Sequence, residues 1–347
     1  MSEVESDVLF AVEGGVGYIT LNRPRARNSL TTPMVKAIAA HLDAWEGDPD
    51  VRMALIRGAG DHGLCAGGDV KGMYAGAVAK DDSTVQFFRA EYQMNARIHQ
   101  FTKPYVAIMD GIVMGGGIGV SAHGSVRLVT ERSVLAMPEV TIGICPDVGA
   151  TWLLANAPGY VGTYLGMTGA TFTGADAIYL GFADLMMPVA NLAAFEQLVQ
   201  HEPLDALLRE LTVPPPAAPL ENEQAWIDEC FCFETVDEVL AALDAHTGPA
   251  ARETAALIRT KSPLAVSVAL AAVTRARALE SVEEALEMEF GISSYLMYGH
   301  DGIEGVRALI IDKDKNPSWA PASFADVSAD QVAAAFEPSP YGSLGLT

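Results

Sequence analysis

An α/β fold followed by a helical region is the class this sequence predicts, on three observations. Short apolar runs rich in β-branched residues recur through residues 1–190, amphipathic helical stretches separate them, and beyond Ala190 the strand-like runs cease while helical periodicity continues. The runs Val16–Leu21, 52–57, Tyr105–Met109, 126–130 and Val134–Ala136 read as buried strands. Between the first two, Thr32-Pro33 precedes Met34, Ile38, Leu42 and Trp45 at helical spacing. Thr32 is expected as N-cap and Pro33 at the first helical position, which makes a β-helix-β unit. A second amphipathic helix is expected over 84–101, and a third begins at the glycines near Gly115. After a Pro-rich break at 213–219, helices are expected over 236–244, 250–260, 263–278 and 281–297. The organisation is thus a core of 1–190, a helical region of 191–325 and a loosely ordered tail of 326–347.

The bulk numbers narrow the function classes. Of 347 residues half are hydrophobic and 19% charged, which is the composition of a globular chain able to bury a large core. Lys and Arg number 22 against 44 Asp and Glu, a net charge of −22, which argues against a general nucleic-acid or anionic-membrane surface. An anionic substrate would need local basic patches. The start, MSEVESDVLF, is acidic and has the pattern of neither a signal nor a transit peptide. Residues 148–175 carry no charge, but Asn156, Pro158 and recurrent glycines interrupt them, so they read as buried packing rather than a membrane span. Cys65, Cys145, Cys230 and Cys232 form no disulfide framework and no CxxC pair, and a reducing, cytoplasmic setting is expected. The histidines show no metal-ligand spacing, so no metal is expected.

Two glycine-rich turns carry the chemistry. LCAGGD (64–69) and MGGGIG (114–119) each come after a strand-like run, and glycine lets backbone N–H groups approach one ligand oxygen closely. Gly68 and Gly116 are the expected donors of an oxyanion hole, the second at a helix N-terminus whose free N–H groups favour developing negative charge. Tight glycine packing is the other reading. Glu139 and Asp147 follow Pro138 and Pro146 in stretches with little other charge, where desolvation would raise a carboxylate's pKa and suit it to acid or base work. A cap or turn role is the alternative for each. Glu91 shares a helix face with Phe87, Met94 and Ile98, which marks it as a buried polar contact to substrate or a boundary residue.

Two basic clusters stand out on so acidic a chain: Arg23, Arg25 and Arg27 after the first strand, and Lys313 with Lys315 near the end. Both suit phosphates, or simply a solvated surface. The glycines 117–119 match a loose dinucleotide fingerprint with Glu139 at the ribose position, but they lie too far past the strand. The run 119–123 misses a serine nucleophile elbow because His123 stands at its final glycine.

Taken together, ITLNRPRARNSL, LCAGGDV, KPYVAIMDGIVMGGGIG, AMPEVTIGICPDVG and MTGATFTGADA resemble the crotonase (enoyl-CoA hydratase/isomerase) superfamily over about residues 12–319. The resemblance implies a spiral of β-β-α units followed by a helical C-terminal region, and an acyl-CoA thioester as partner, with no cofactor beyond that CoA. By the same resemblance Gly68 and Gly116 form the oxyanion hole, Glu139 and Asp147 are catalytic, and Glu91 contacts the acyl group. Arg27, Ala66, Lys313 and Lys315 would then meet CoA. Family hydratases carry a glutamate three residues after the middle glycine of GGG, where this chain has Gly119. That departure, with FFRAEY (87–92), PDVG (146–149) and EGVRALIIDKDKNPSW (304–319), resembles the branch that hydrolyses β-hydroxyacyl-CoA thioesters. The expected substrate is 3-hydroxyisobutyryl-CoA, from valine breakdown; the alternative is hydration or isomerisation of a short enoyl-CoA. No nucleic acid or membrane partner is expected, and a homo-oligomer stays open.

Overall fold

The computed structural model describes residues 6–346, whose contacts gather into two compact units, each assembled from segments distant in sequence. The first comprises 6–68, Gln93–Leu135 and Phe172–Pro219; the second comprises Asp69–Tyr92, Ala136–Thr171 and 220–346.

Nine strands are present among the described residues: β1 Val8–Glu13, β2 Val16–Leu21, β3 Met53–Gly58, β4 Tyr105–Met109, β5 Ile112–Met114, β6 Val126–Val129, β7 Val134–Ala136, β8 Phe172–Thr173 and β9 Leu185–Met186. A six-stranded sheet runs β1-β2-β3-β4-β6-β9 and a small one runs β5-β7-β8. In the large sheet only β1 and β2 pair antiparallel; β2, β3, β4, β6 and β9 are parallel neighbours, with Ile19 opposite Ile56 and Leu55 opposite Val106. Parallel neighbours need crossover connections, and the helix Thr32–Gly47 supplies the one from β2 to β3. The central strands are covered on both faces, which is why they read as unbroken apolar runs rather than as alternation.

The strand β1 was not expected. Its sequence VLFAVE is an apolar run with Leu9, Ala11, Val12 and Glu13 exposed, and that run together with Gly14-Gly15 was the available signal. Both glycines adopt positive φ (55° and 76°), the conformation a two-residue hairpin turn requires. The first helix starts one residue earlier than expected: Thr31, in an extended conformation, is the N-cap, and Thr32 is the first helical residue. Thr32 therefore does not cap the helix.

The helices Val189–Leu198 and Leu204–Leu211 belong to the first unit, because Phe195, Val199 and Leu207 close one face of the large sheet over Val16, Tyr18, Met53, Leu55, Val106, Ile108 and Leu128. The second unit is helical. Pro263–Ala276 is buried along most of its length and packs on Ala150–Ala155 and Val161–Thr168, the charge-free stretch expected to be interior. The later helices Val236–Ala245, Pro249–Ile258, Pro263–Ala276 and Val282–Met297 lie within two residues of their expected bounds. No single helix among the described residues is long and apolar enough to cross a membrane.

The end of the chain is more firmly held than its composition suggests. Ser328 and Gln331 form a capping box on the helix Ala329–Ala334, and Glu287 accepts from the N–H groups of Leu344, Gly345 and Leu346 at 2.9–3.2 Å. One carboxylate thus organises a segment that has few apolar residues of its own.

Leu55 is fully buried in the middle of the large sheet, so Leu55→Ala should lower unfolding free energy by about 2–5 kcal/mol in urea titration. Val12→Ala on the exposed edge strand should change it by less than about 1 kcal/mol.

Candidate active site

In the first unit the two glycine turns lie against each other. Leu64 and Cys65 N–H donate to the carbonyls of Asp110 and Ile112, and Met114 N–H returns a bond to Cys65 O at 3.0 Å. A Cβ on Gly117 would stand 2.3 Å from Cys65 O, so glycine is what permits this approach. Gly67 (φ 113°) and Gly115 (φ 50°) turn the chain just before the two expected donors, and the helix Gly116–Gly119 begins directly after. The neighbouring amides are used: Ala66 N–H binds Arg27 O and Ile118 N–H binds Gly115 O. The N–H groups of Gly68 and Gly116 donate to no other backbone carbonyl of the described residues. Two free donors on adjoining turns are what an oxyanion needs.

The bond from Ala66 to Arg27 also brings the first basic cluster beside the Gly67-Gly68 turn. Arg25 and Arg27 are exposed, whereas Arg23 is spent on structure, donating to Ser29 O and pairing with Asp7. Asn28, which no sequence motif singled out, anchors this loop. Fully buried and at φ 57°, it accepts from Arg23 N–H and donates to Ala59 O and Gly63 O. Asparagine's tolerance of the left-handed region, inside an arginine-rich run, was the available signal. Lys313 and Lys315, in the second unit, are also exposed; the aspartates flanking Lys313 are taken up by Arg307, which pairs with Asp312 and Asp314.

The second unit holds the carboxylates. Glu91, Glu139 and Asp147 are all buried, and they sense one another: the charge of Asp147 raises the pKa of both glutamates, after burial itself, which is the larger cause. Both glutamates are pushed well above the ordinary carboxylate range, and Asp147 is pushed by burial to about 6. The structure therefore brings the three expected acids together in one dry environment. A fourth, Glu289, was not anticipated. It is fully buried and driven by burial to about 8, against the pull of three donors. Within its helix Val282–Met297 it sits beside Phe290 on an inward face, and nothing in that acidic stretch of sequence marks it out.

Hydrogen bonding sorts the four. Glu91 Oε1 and Glu139 Oε2 have no partner among the described residues, so each keeps an acceptor for something else. Asp147 Oδ2 is 2.6 Å from Tyr92 Oη, which is also 2.8 Å from Ser293 Oγ. An ionised carboxylate can only accept, so the tyrosine gives its single proton to Asp147 and accepts from Ser293. Glu289 is fully engaged: Oε2 accepts from Gly149 N–H at 2.6 Å, and Oε1 accepts from Thr151 N–H at 2.9 Å and its hydroxyl at 2.6 Å. The turn between these anchors is strained. Val148, β-branched, lies at φ 57° and Gly149 at φ 80°, and a non-glycine residue there costs of order 1–3 kcal/mol.

Paired backbone donors and desolvated carboxylates are the equipment of an enzyme that acts on an activated carbonyl. Residues 16–336 match the family described as enoyl-CoA hydratase/isomerase, and the chain belongs to that family. A Gallus gallus relative named 3-hydroxyisobutyryl-CoA hydrolase, mitochondrial, is 36% identical over 98% of this chain and 91% of its own length. Among solved structures, one described as a carnitinyl-CoA dehydratase from Mycobacterium thermoresistibile superposes with a TM-score of 0.95 at 49% identity over 99% of each chain. Another, described as an enoyl-CoA hydratase from Rhodobacter sphaeroides, gives 0.90 at 40% identity, covering 98% of this chain and 99% of that one. The spiral α/β fold with its helical C-terminal region is thereby that of the crotonase family.

The raised acids set the pH dependence of stability. An acid whose folded pKa lies above its unfolded value binds protons more tightly when folded; its contribution is full below about pH 4 and is lost as pH rises. For Asp147 the loss extends through about 6 and for Glu289 through about 8. Urea unfolding across a pH series should show this decline, and Asp147→Asn should flatten its lower part. An unchanged slope in that variant would place Asp147 in an ordinary aqueous environment.

Proposed function

We propose that this chain hydrolyses a short branched β-hydroxyacyl-CoA thioester, with 3-hydroxyisobutyryl-CoA as the favoured substrate and 3-hydroxyisobutyrate and CoA as products, a step of valine breakdown. The observation that carries this reading is Gly119. It occupies the place of the first glutamate of family hydratases and is buried in a short glycine helix, so that place supplies no carboxylate. A hydratase grips one water between two glutamates; here the second, Glu139, works with Asp147 instead. The name of the Gallus gallus relative, similar over almost the full chain, supports hydrolysis.

In this proposal the thioester oxygen accepts from Gly68 and Gly116 N–H, which take up the charge as the carbonyl carbon becomes tetrahedral. Glu139, whose burial makes it a strong base once ionised, takes a proton from water as that water attacks; direct attack to form an anhydride, which water then cleaves, is the other route open to it. The C–S bond breaks, and the proton that Glu139 took from water goes to the departing thiolate, with Asp147 either relaying it or orienting the water. Glu91, with its unpartnered Oε1, contacts the acyl group and suits the substrate hydroxyl. Arg27, Ala66, Lys313 and Lys315 are assigned to CoA. No cofactor is required, and the four cysteines, none of them in a disulfide, suit a reducing, cytoplasmic setting.

A second reading, addition or removal of water by Glu139 with Asp147, is favoured by the dehydratase name that the solved structure at 49% identity carries. The two separate cleanly in an assay of β-hydroxyacyl-CoA and enoyl-CoA substrates that follows free thiol and enoyl absorbance together. Thiol should appear from 3-hydroxyisobutyryl-CoA without an enoyl intermediate. Glu139→Gln should lower kcat by about 10²–10⁴-fold while thioester binding persists. Enoyl interconversion without thiol release would transfer the assignment to the second reading.

A further inference from the structure

We propose that Glu289 is a positioning residue that fixes the turn bearing Asp147, so that Asp147 is presented in one orientation. The claim rests on the hydrolase reading for its kinetic test alone. Glu289 reaches across to Gly149 N–H and to both donors of Thr151, at and just after the left-handed pair Val148-Gly149. Asp147 closes the same turn from the other side, its carbonyl accepting from Ala150 N–H at 2.9 Å. A strained valine persists only where its surroundings over-determine it, and this carboxylate is the clamp that does so.

Two features set Glu289 apart from an acid that acts on substrate. Both of its oxygens are occupied by protein donors, and it has no exposed surface. It also occupies an inward position that an apolar side chain would fill without any desolvation cost, so bulk packing does not account for it. One turn further along the same helix, Ser293 donates to Tyr92, which holds Asp147 Oδ2. The helix Val282–Met297 therefore bears on Asp147 twice, through Glu289 on the following residues Gly149 and Thr151, and through Ser293 and Tyr92 on its carboxylate.

The test compares Glu289→Gln and Thr151→Val with the unaltered protein, normalising rates to the fraction of molecules that bind a CoA thioester. Glu289→Gln opposes an amide N–H to one of the three donors and should lower per-site kcat by about tenfold to a hundredfold, with KM within threefold. Thr151→Val removes one hydroxyl and should give a smaller loss of the same kind, which decides the matter if Glu289→Gln does not fold. Hydrogen exchange over residues 145–153 reads the turn without substrate and should be faster in the variants. A kcat per binding-competent site that is unchanged, or exchange that is unaltered, overturns the proposal. Faster exchange beside an unaltered protein that releases no thiol would leave the clamp standing and refute the hydrolase reading.

Discussion

Carboxylates that cannot all be ionised in one dry space are the constraint on which this structure turns. Glu91, Glu139, Asp147 and Glu289 are each buried, and burial is the leading influence on the titration of all four, followed by the charge of Asp147 for Glu91 and Glu139 and by hydrogen bonds for Asp147 and Glu289. Burying an isolated charge is costly, so such groups keep their protons until pH rises well past the usual carboxylate range. The molecule divides the burden by hydrogen bonding. Glu289 accepts from three donors and Asp147 from the Tyr92 hydroxyl, while Glu91 and Glu139 each keep an oxygen without a partner among the described residues. The fully engaged acid, Glu289, holds structure, and in the proposed function Glu91, Glu139 and Asp147 serve the chemistry.

In the proposed function the glycine turns solve the opposite problem. A donor for an oxyanion must be fixed, close and free, and a side chain would bring its own entropy and bulk. Backbone N–H groups avoid both, at the cost of positive φ at Gly67 and Gly115 and of a contact at Gly117 that admits no Cβ. The GGG run therefore does more than pack a helix. One glycine turns the chain, one has an N–H that donates to no backbone carbonyl of the described residues, and one allows the neighbouring turn to approach.

Much of this was legible in the sequence because the central strands are parallel and fully covered, so Val16–Leu21 and Tyr105–Met109 stand out as apolar runs with the correct ends. Glu139 and Asp147 were legible for the converse reason, as lone charges in apolar stretches. What escaped were elements whose cause lies elsewhere in the chain. The edge strand β1 carries an apolar run that is mostly exposed, and it is held by antiparallel pairing with β2. Glu289 looks like one acid among many in an acidic helix, and only the fold shows that it points inward at a turn about 140 residues earlier. The cap moved from Thr32 to Thr31 because either residue satisfies the local rule and backbone conformation decides between them.

The central claim, that burial at this site makes acids hold their protons above the ordinary carboxylate range, is tested most directly by infrared difference spectroscopy of the carboxyl C=O stretch during a pH titration. The account predicts protonated-acid bands that persist well above the titration of surface carboxylates, with distinct bands lost in Glu91→Gln and Glu139→Gln. A spectrum in which every carboxyl has ionised by about pH 5, with no band removed by either substitution, would contradict it.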